Sequence, residues 1–332
     1  MPAQDLIELW RGDLLESLHR GHAVIWDRGG LVAAWGAPGA VIFPRSSCKM
    51  IQALPLLESG AADAAGLGPE QLALACASHS GGAMHVGRVT AWLDRIGLSD
   101  ADLRCGAHMP QDRAENRRLT CSETAPCQAH NNCSGKHAGF LTLNRHLGGD
   151  AEYVRIDHPV QQAVRRAFEE VTAETSAGHG IDGCSAPNFA CTVAGLARAM
   201  AEFAAPGPGV RGEAMRRLVA AMTAHPALVA GETRACTDLM RAMGGRVAVK
   251  TGAEAVFVAI APDRGLGVAL KIADGSTRAS EAAITALLVH LGLLDAAHPV
   301  VGRLLTAPLR NWRGMAVAQL RTADGFPGPR MC

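Results

Sequence analysis

The sequence predicts a mixed α/β protein of the α+β kind: an antiparallel sheet built from N- and C-terminal strands, with a helical lobe between. Two observations carry this. Strand-like apolar runs bounded by turn residues cluster toward the two ends of the 332-residue chain, and apolar residues at helical spacing fill the stretch between.

Taken in order, "HAVIWD" and "LVAAWG" flank the turn "RGG" and read as a β-hairpin over residues 22–36. Helical spacing follows. Val86, Val89, Leu93 and Ile96 share one face, and Val160, Val164, Phe168 and Val171 share another behind the start signal "DHP". "AAPGPGVRGE" at 204–213 is a loop. "RVAVK", "AVFVAIA" and "LGVALKIAD" read as three strands, the last two joined by "PDRG", with antiparallel pairing. Ile284, Leu287, Leu288 and Leu291 mark a closing helix, and "GMAVAQLRT" returns to the sheet. The expectation is a single catalytic domain over 1–332, with a sheet lobe of about 20–45 and 245–325, a helical lobe of about 46–244, and a site in the cleft between them.

The charge balance excludes some partners. Basic residues number 32 and acidic residues 31, without the excess that nucleic-acid binding requires. Asp5, Glu8, Arg11, Asp13 and Glu16 interrupt the first hydrophobics, so neither a secretion signal nor a membrane span is expected, and the expected location is cytoplasmic. Ten cysteines in such a chain read as thiols, some buried and some metal ligands.

Lysine is scarce. Only Lys49, Lys136, Lys250 and Lys271 occur among the 32 basic residues. Arginine meets the need for solvated charge, so each lysine raises the question of what a guanidinium could not do. It cannot give up its proton, whereas lysine can act as a base or a ligand.

"FPRSSCKMIQALP" places Ser46 and Lys49 three residues apart where a helix is expected to begin, with Met50, Leu54 and Leu57 at helical spacing, a kink at Pro55 and a stop at Gly60. Free amides at a helix start favour a serine alkoxide or an oxyanion. The amine can take the serine proton only when neutral, which requires desolvation or a second cation to depress its ordinary value of about 10.4. "KTG" at 250–252 supplies that second lysine, and Gly252 is expected to leave room for substrate at a sheet edge. A serine-lysine pair followed by Lys-Thr-Gly is the arrangement of penicillin-recognising serine hydrolases. Their third element would come from "ACASHSGG", through Ser78 or Ser80.

"HNNCSGKHAGF" brings Cys133, Lys136 and His137 into one helical turn, and "GHGIDGCSAPN" adds His179, Asp182 and Cys184. Two thiols, an imidazole and a carboxylate would suit zinc, and residue chemistry alone favours His137 over Lys136 as the nitrogen donor.

Together, "PRSSCKMIQALPLLESG", "CASHSG", "HNNCSGKHAGF", "GIDGCSAP", "KTGAEA" and "KIADGSTRA" resemble the rhizobial-type, class 3 L-asparaginases, a family similar in fold to serine β-lactamases. The resemblance runs from about residue 5 to about residue 325. It implies Ser46 as nucleophile with Lys49 as its partner, a second pair from Ser78 and Lys250, and Arg45 beside the nucleophile. It further implies zinc on Cys133, Lys136 and Cys184, with Asp182 beside the metal or orienting substrate and His137 close by, and a homodimer. Cys236 matches a family cysteine. Two positions depart from the pattern: Gly82 stands where an acidic residue is expected, and Ala255 where glycine is usual.

The implied reaction is hydrolysis of L-asparagine to L-aspartate and ammonia through a seryl acyl-enzyme. Two rivals share parts of the pattern: a β-lactamase or penicillin-binding serine hydrolase, and a non-catalytic zinc-stabilised binding protein. The threonine-nucleophile asparaginases fit poorly, because their chemistry needs a tyrosine beside the threonine and the sole tyrosine, Tyr153, lies in no motif.

Overall fold

The computed structural model describes residues 2–328, which form two compact units. The first comprises the residues up to Ser47, Cys191–Ala205 and the residues from Asp238 onward; the second comprises Cys48–Ala190 and Pro206–Thr237.

The first unit is built on an eight-stranded sheet of β1 (Gln4–Arg11), β2 (Leu14–Asp27), β3 (Gly30–Trp35), β4 (Ala248–Gly252), β5 (Val256–Ala261), β6 (Leu266–Ile272), β7 (Pro308–Arg310) and β8 (Ala316–Thr322). The order is β7-β8-β1-β2-β6-β5-β4, with β3 also on β2, and each of these pairings is antiparallel. The expected hairpin and the three expected C-terminal strands are all present, and "AVAQLRT" returns as β8. β5 is buried at every position, so both of its faces are covered; the helices Val193–Ala204 and Thr277–His290 pack on it. A strand buried on both faces reads as a continuous apolar run, which is what "VFVAIA" is.

Three expectations about organisation need correction. The sheet begins at Gln4, well before residue 20. Register shifts between Asp5 and Ile7 and between Leu9 and Trp10 break the period-two alternation, so Leu6 and Ile7 are both buried and the segment does not read as a strand. Residues 191–205 belong to the sheet unit and not to a helical lobe running from 46 to 244. The helix expected from Ser46 is not continuous: a 3₁₀ turn at Arg45–Cys48 leads into Lys49–Gln52, and after Ala53 a separate helix spans Leu54–Glu58. Pro55 causes this break. Lacking an N–H and clashing with the preceding turn, proline is tolerated only near a helix start.

The second unit is mainly helical, with Pro69–Ala75, Ala83–Arg95, Ser134–Leu147, Pro159–Thr172 and Val210–Ala224 as its longer helices. Ser134–Leu147 is its core, buried at every residue from Ser134 to Asn144. Gly135 permits this: a Cβ there would lie 2.4 Å from the Leu74 carbonyl oxygen. The motif glycine is thus a close-approach position against the Pro69–Ala75 helix. Two short strands, His179–Ile181 and Pro187–Phe189, pair antiparallel and carry Asp182 and Cys184 in their connecting turn.

Candidate active site

The motif residues fall into two sets, one on each unit. On the sheet unit, Arg45 and Ser46 occupy the 3₁₀ turn before Lys49, and both are half-buried. Arg45 has φ +54, an uncommon backbone conformation for a side-chain-bearing residue, so the residue ahead of Ser46 is held in a strained state. Ser47 Oγ closes the turn by donating to the Pro44 carbonyl at 2.7 Å. Lys250 is the middle residue of β4, with Nζ donating to the Thr251 carbonyl at 2.8 Å, and only 1% of it is exposed.

Gly252 corrects an expectation. The space beside it holds protein backbone: a Cβ on Gly252 would sit 2.6 Å from the Pro44 carbonyl oxygen and 3.0 Å from the Ser47 amide nitrogen. The glycine of "KTG" lets the strand press against the turn that carries Ser46. Ala255, where glycine was expected, has φ +58, the left-handed conformation that favours glycine. Lys271 donates to the Glu254 carbonyl in the same turn.

On the helical unit Lys49 is 1% exposed, and its Nζ donates to the Ala77 carbonyl, to Ser78 Oγ at 3.0 Å and to Cys133 Sγ at 3.1 Å. The "CASHSG" segment is held from two sides, since the Ser78 N–H donates to Val229 O and the His79 N–H to Asn132 O. His79 is buried, accepts the Gly81 N–H at Nδ1, and so donates from Nε2 to Ser134 Oγ at 3.0 Å. Burial, then the neighbouring His85, drives it well below the usual histidine range, so it stays neutral and ties two motifs together. Ser80, the other candidate hydroxyl, packs over Gly231.

The departure at Gly82 has a neighbour that accounts for it. An ideal Cβ on Gly82 would lie 2.9 Å from the Asp112 carboxyl carbon, so the carboxylate already occupies the space that a side chain at 82 would enter.

Lys136 Nζ donates to Cys184 Sγ at 3.0 Å, and both residues are buried. The Cys184 sulfur is driven toward thiolate by a hydrogen bond from Cys133, against the cost of burial and with help from the Lys136 ammonium and His137. Cys133 is correspondingly pushed up by that bond and by burial, so the pair shares one proton. Burial opposes the charge on Lys136, yet Cys184 and Cys133 outweigh it and hold the amine protonated. Cys133 Sγ also lies 3.0 Å from Asn132 Oδ1. Asp182 is half-buried in the hairpin turn, where its Oδ1 accepts the Gly183 N–H.

These groups fit zinc in donor chemistry: two soft sulfurs and an amine converge, with the ammonium now supplying the positive charge that balances the thiolate. Among the described residues, no three His, Cys, Asp or Glu side chains form a metal-holding group. His137 is fully buried and neutral, its value pushed down to about 4 by burial. His179 is exposed, tilted over Phe189.

Several residues of the site carried no assignment from sequence. Cys48, inside the serine-lysine motif, is buried near Lys136 and Asp182, with its thiol pushed up to about 12 by burial. Tyr153 is fully buried, its hydroxyl 2.8 Å from His137 Nδ1. Its rarity as the sole tyrosine was a signal of the same kind as the lysine scarcity. Cys236 is buried at the start of the Ala235–Ala242 helix.

A family model described as L-asparaginase II matches residues 7–322. A search of the curated proteins gives no match. Among solved structures the chain is similar to one named Mglu in its native form, at 12% identity and a TM-score of 0.44, covering 79% of this chain and 61% of that one. It is also similar to a β-lactamase from Mycobacterium bovis, at 13% identity and a TM-score of 0.42, covering 78% and 89% of the two chains. No helix among the described residues is long and apolar enough to cross a membrane.

Proposed function

The chain belongs to the L-asparaginase II family, and from that premise we propose that it is an amidohydrolase releasing ammonia from the side chain of L-asparagine through a seryl acyl-enzyme. The observation that supports this most directly is the burial of Lys49 with its amine on the Ser78 hydroxyl, in the segment after the proposed nucleophile's motif.

In the proposed reaction Lys49, in its neutral amine form, removes the proton of Ser46, whose Oγ attacks the amide carbon and forms a C–O bond. Backbone N–H groups at the start of the Arg45–Cys48 turn and beside the strand of Lys250 hold the developing oxyanion. As the C–N bond breaks, the departing nitrogen takes a proton relayed through Ser78 and a lysine and leaves as ammonia. Water then attacks the β-aspartyl ester, returning the proton to Ser46. Arg45 carries the charge suited to a substrate carboxylate. Asp182 carries the charge suited to an α-ammonium.

Zinc would be held by Cys133, Lys136 and Cys184, Lys136 giving up its proton on binding, and would supply a fixed positive charge that orients the α-amino and α-carboxylate groups. We propose no route for the chemical step through it. A homodimer belongs to the same proposal.

Ammonia release from L-asparagine, measured for the unaltered chain, Ser46→Ala and Lys49→Arg, tests the reading. Near-complete loss in both variants supports it. Unchanged release in Ser46→Ala overturns it, and stable acylation by a penicillin would assign the chain to the β-lactamase-like alternative.

A further inference from the structure

The buried aromatic cluster around His137 carries an inference about how its imidazole is held. His137, Tyr153 and Phe140 pack edge to face, with the ring centroids of His137 and Tyr153 5.5 Å apart. Tyr153 is fully buried, and its hydroxyl has two neighbours: the Arg104 backbone N–H at 2.8 Å and His137 Nδ1 at 2.8 Å. An amide N–H can only donate, so it uses a lone pair of the tyrosine oxygen. The one hydrogen of the phenol is then directed at the other neighbour, and Nδ1 must accept it. A neutral imidazole whose Nδ1 accepts carries its hydrogen on Nε2. Nε2 is buried and has no hydrogen-bond partner of ordinary geometry.

We propose that Tyr153 is a positioning residue that locks His137 as its Nε2–H tautomer, making His137 a hydrogen-bond donor toward the Cys184 sulfur and excluding it as a metal ligand. The observed chain of contacts runs from the Arg104 amide through the phenol to the imidazole. Each member fixes the direction of the next. A ligating nitrogen must offer a lone pair, and here the lone pair of His137 is on Nδ1, already taken by Tyr153. This explains why an imidazole beside two thiols leaves the third position to Lys136. The consequence for metal binding rests on the reading above; the tautomer assignment stands without it.

The test uses the full-length chain, metal-free, labelled with ¹⁵N-histidine, with the His137 ring resonances identified by their loss in His137→Gln. The expected spectrum has Nε2 protonated and Nδ1 bare, and Tyr153→Phe, which keeps the ring, mixes the tautomers. A wild-type spectrum with Nδ1 protonated overturns the proposal, as does an unchanged tautomer in Tyr153→Phe; should that variant not fold, the wild-type spectrum alone decides. Cobalt(II) titration followed by thiolate-to-metal absorption supplies the second readout. Tyr153→Phe and His137→Ala are expected to weaken cobalt binding by about 10- to 100-fold, the usual effect of losing an outer hydrogen-bond partner. His137→Gln, which retains a side-chain N–H donor, is expected to restore most of it. Equal loss in His137→Gln and His137→Ala would mark the imidazole as a ligand and overturn the proposal. Failure of the wild type to bind cobalt would instead remove the metal from the proposed function, leaving the tautomer to the spectra.

Discussion

The Nζ of Lys49 lies 3.1 Å from the Sγ of Cys133 and 3.0 Å from Ser78 Oγ, so one buried amine joins the candidate base to the candidate metal ligands. The two proposed functions meet at this amine, and substitutions on either side of it are expected to separate them. Lys49→Met removes the proton carrier and is expected to lower ammonia release by about 10²- to 10⁴-fold, the range for a positioned acid-base group. Cys133→Ser keeps a polar neighbour for the amine and is expected to reduce metal uptake far more than turnover. Measuring both quantities on both variants checks this, and parallel losses would refute it.

Gly252 faces the turn that carries Ser46. A methyl group 2.6 Å from the Pro44 carbonyl oxygen cannot be accommodated without moving backbone. Gly252→Ala is expected to cost about 1–3 kcal/mol, as overpacking usually does. It should also reduce kcat by on the order of 10²-fold, the effect of misplacing a nucleophile by about 1 Å. Thermal unfolding and steady-state kinetics on one preparation distinguish the two.

Ala255 tests the opposite case. Its φ of +58 strains an alanine but not a glycine. Ala255→Gly is expected to stabilise the chain by about 0.5–1 kcal/mol, the relief of strain exceeding the extra entropy of the unfolded glycine. A lower denaturant midpoint in this variant would contradict the assignment.

Two of the buried histidines are expected to weaken the fold on acidification. His79 is driven well below its ordinary value, and His137 down to about 4, each chiefly by burial. Below an unfolded-state value of about 6.5 the unfolded chain binds protons that the folded chain refuses, so stability rises with pH in this window and falls on acidification. The contribution is fully present above about pH 6.5 and is lost as pH drops toward 4; for His137 it is on the order of 3 kcal/mol. Denaturant melts between pH 7 and 4 should show this slope. The slope should be shallower in His79→Gln.

Chelation bears on the orienting role of zinc. Removing the metal is expected to raise KM for asparagine while leaving kcat within a few-fold, because the proposed nucleophile and base are side chains of the protein. A selective fall in kcat would place the metal in the chemical step.

Sequence alone determined the α+β class, the hairpin over residues 22–36, the three strands between 248 and 272, and the helices Ala83–Arg95, Pro159–Thr172 and Thr277–His290, because period and turn residues are local properties of the chain. It could not supply the roles of Gly252, Asp112, His79 or Tyr153. Each depends on a neighbour distant in sequence: the Pro44 carbonyl, the Gly82 backbone, Ser134 and His137. The surroundings of His137 show why. Lys136 and His137 are nitrogen donors one position apart in the same helix, and the hydroxyl that occupies the imidazole nitrogen arrives from a turn sixteen residues later. Hydrogen-bond direction and close backbone approach are set by packing, and packing exists only once the chain has folded.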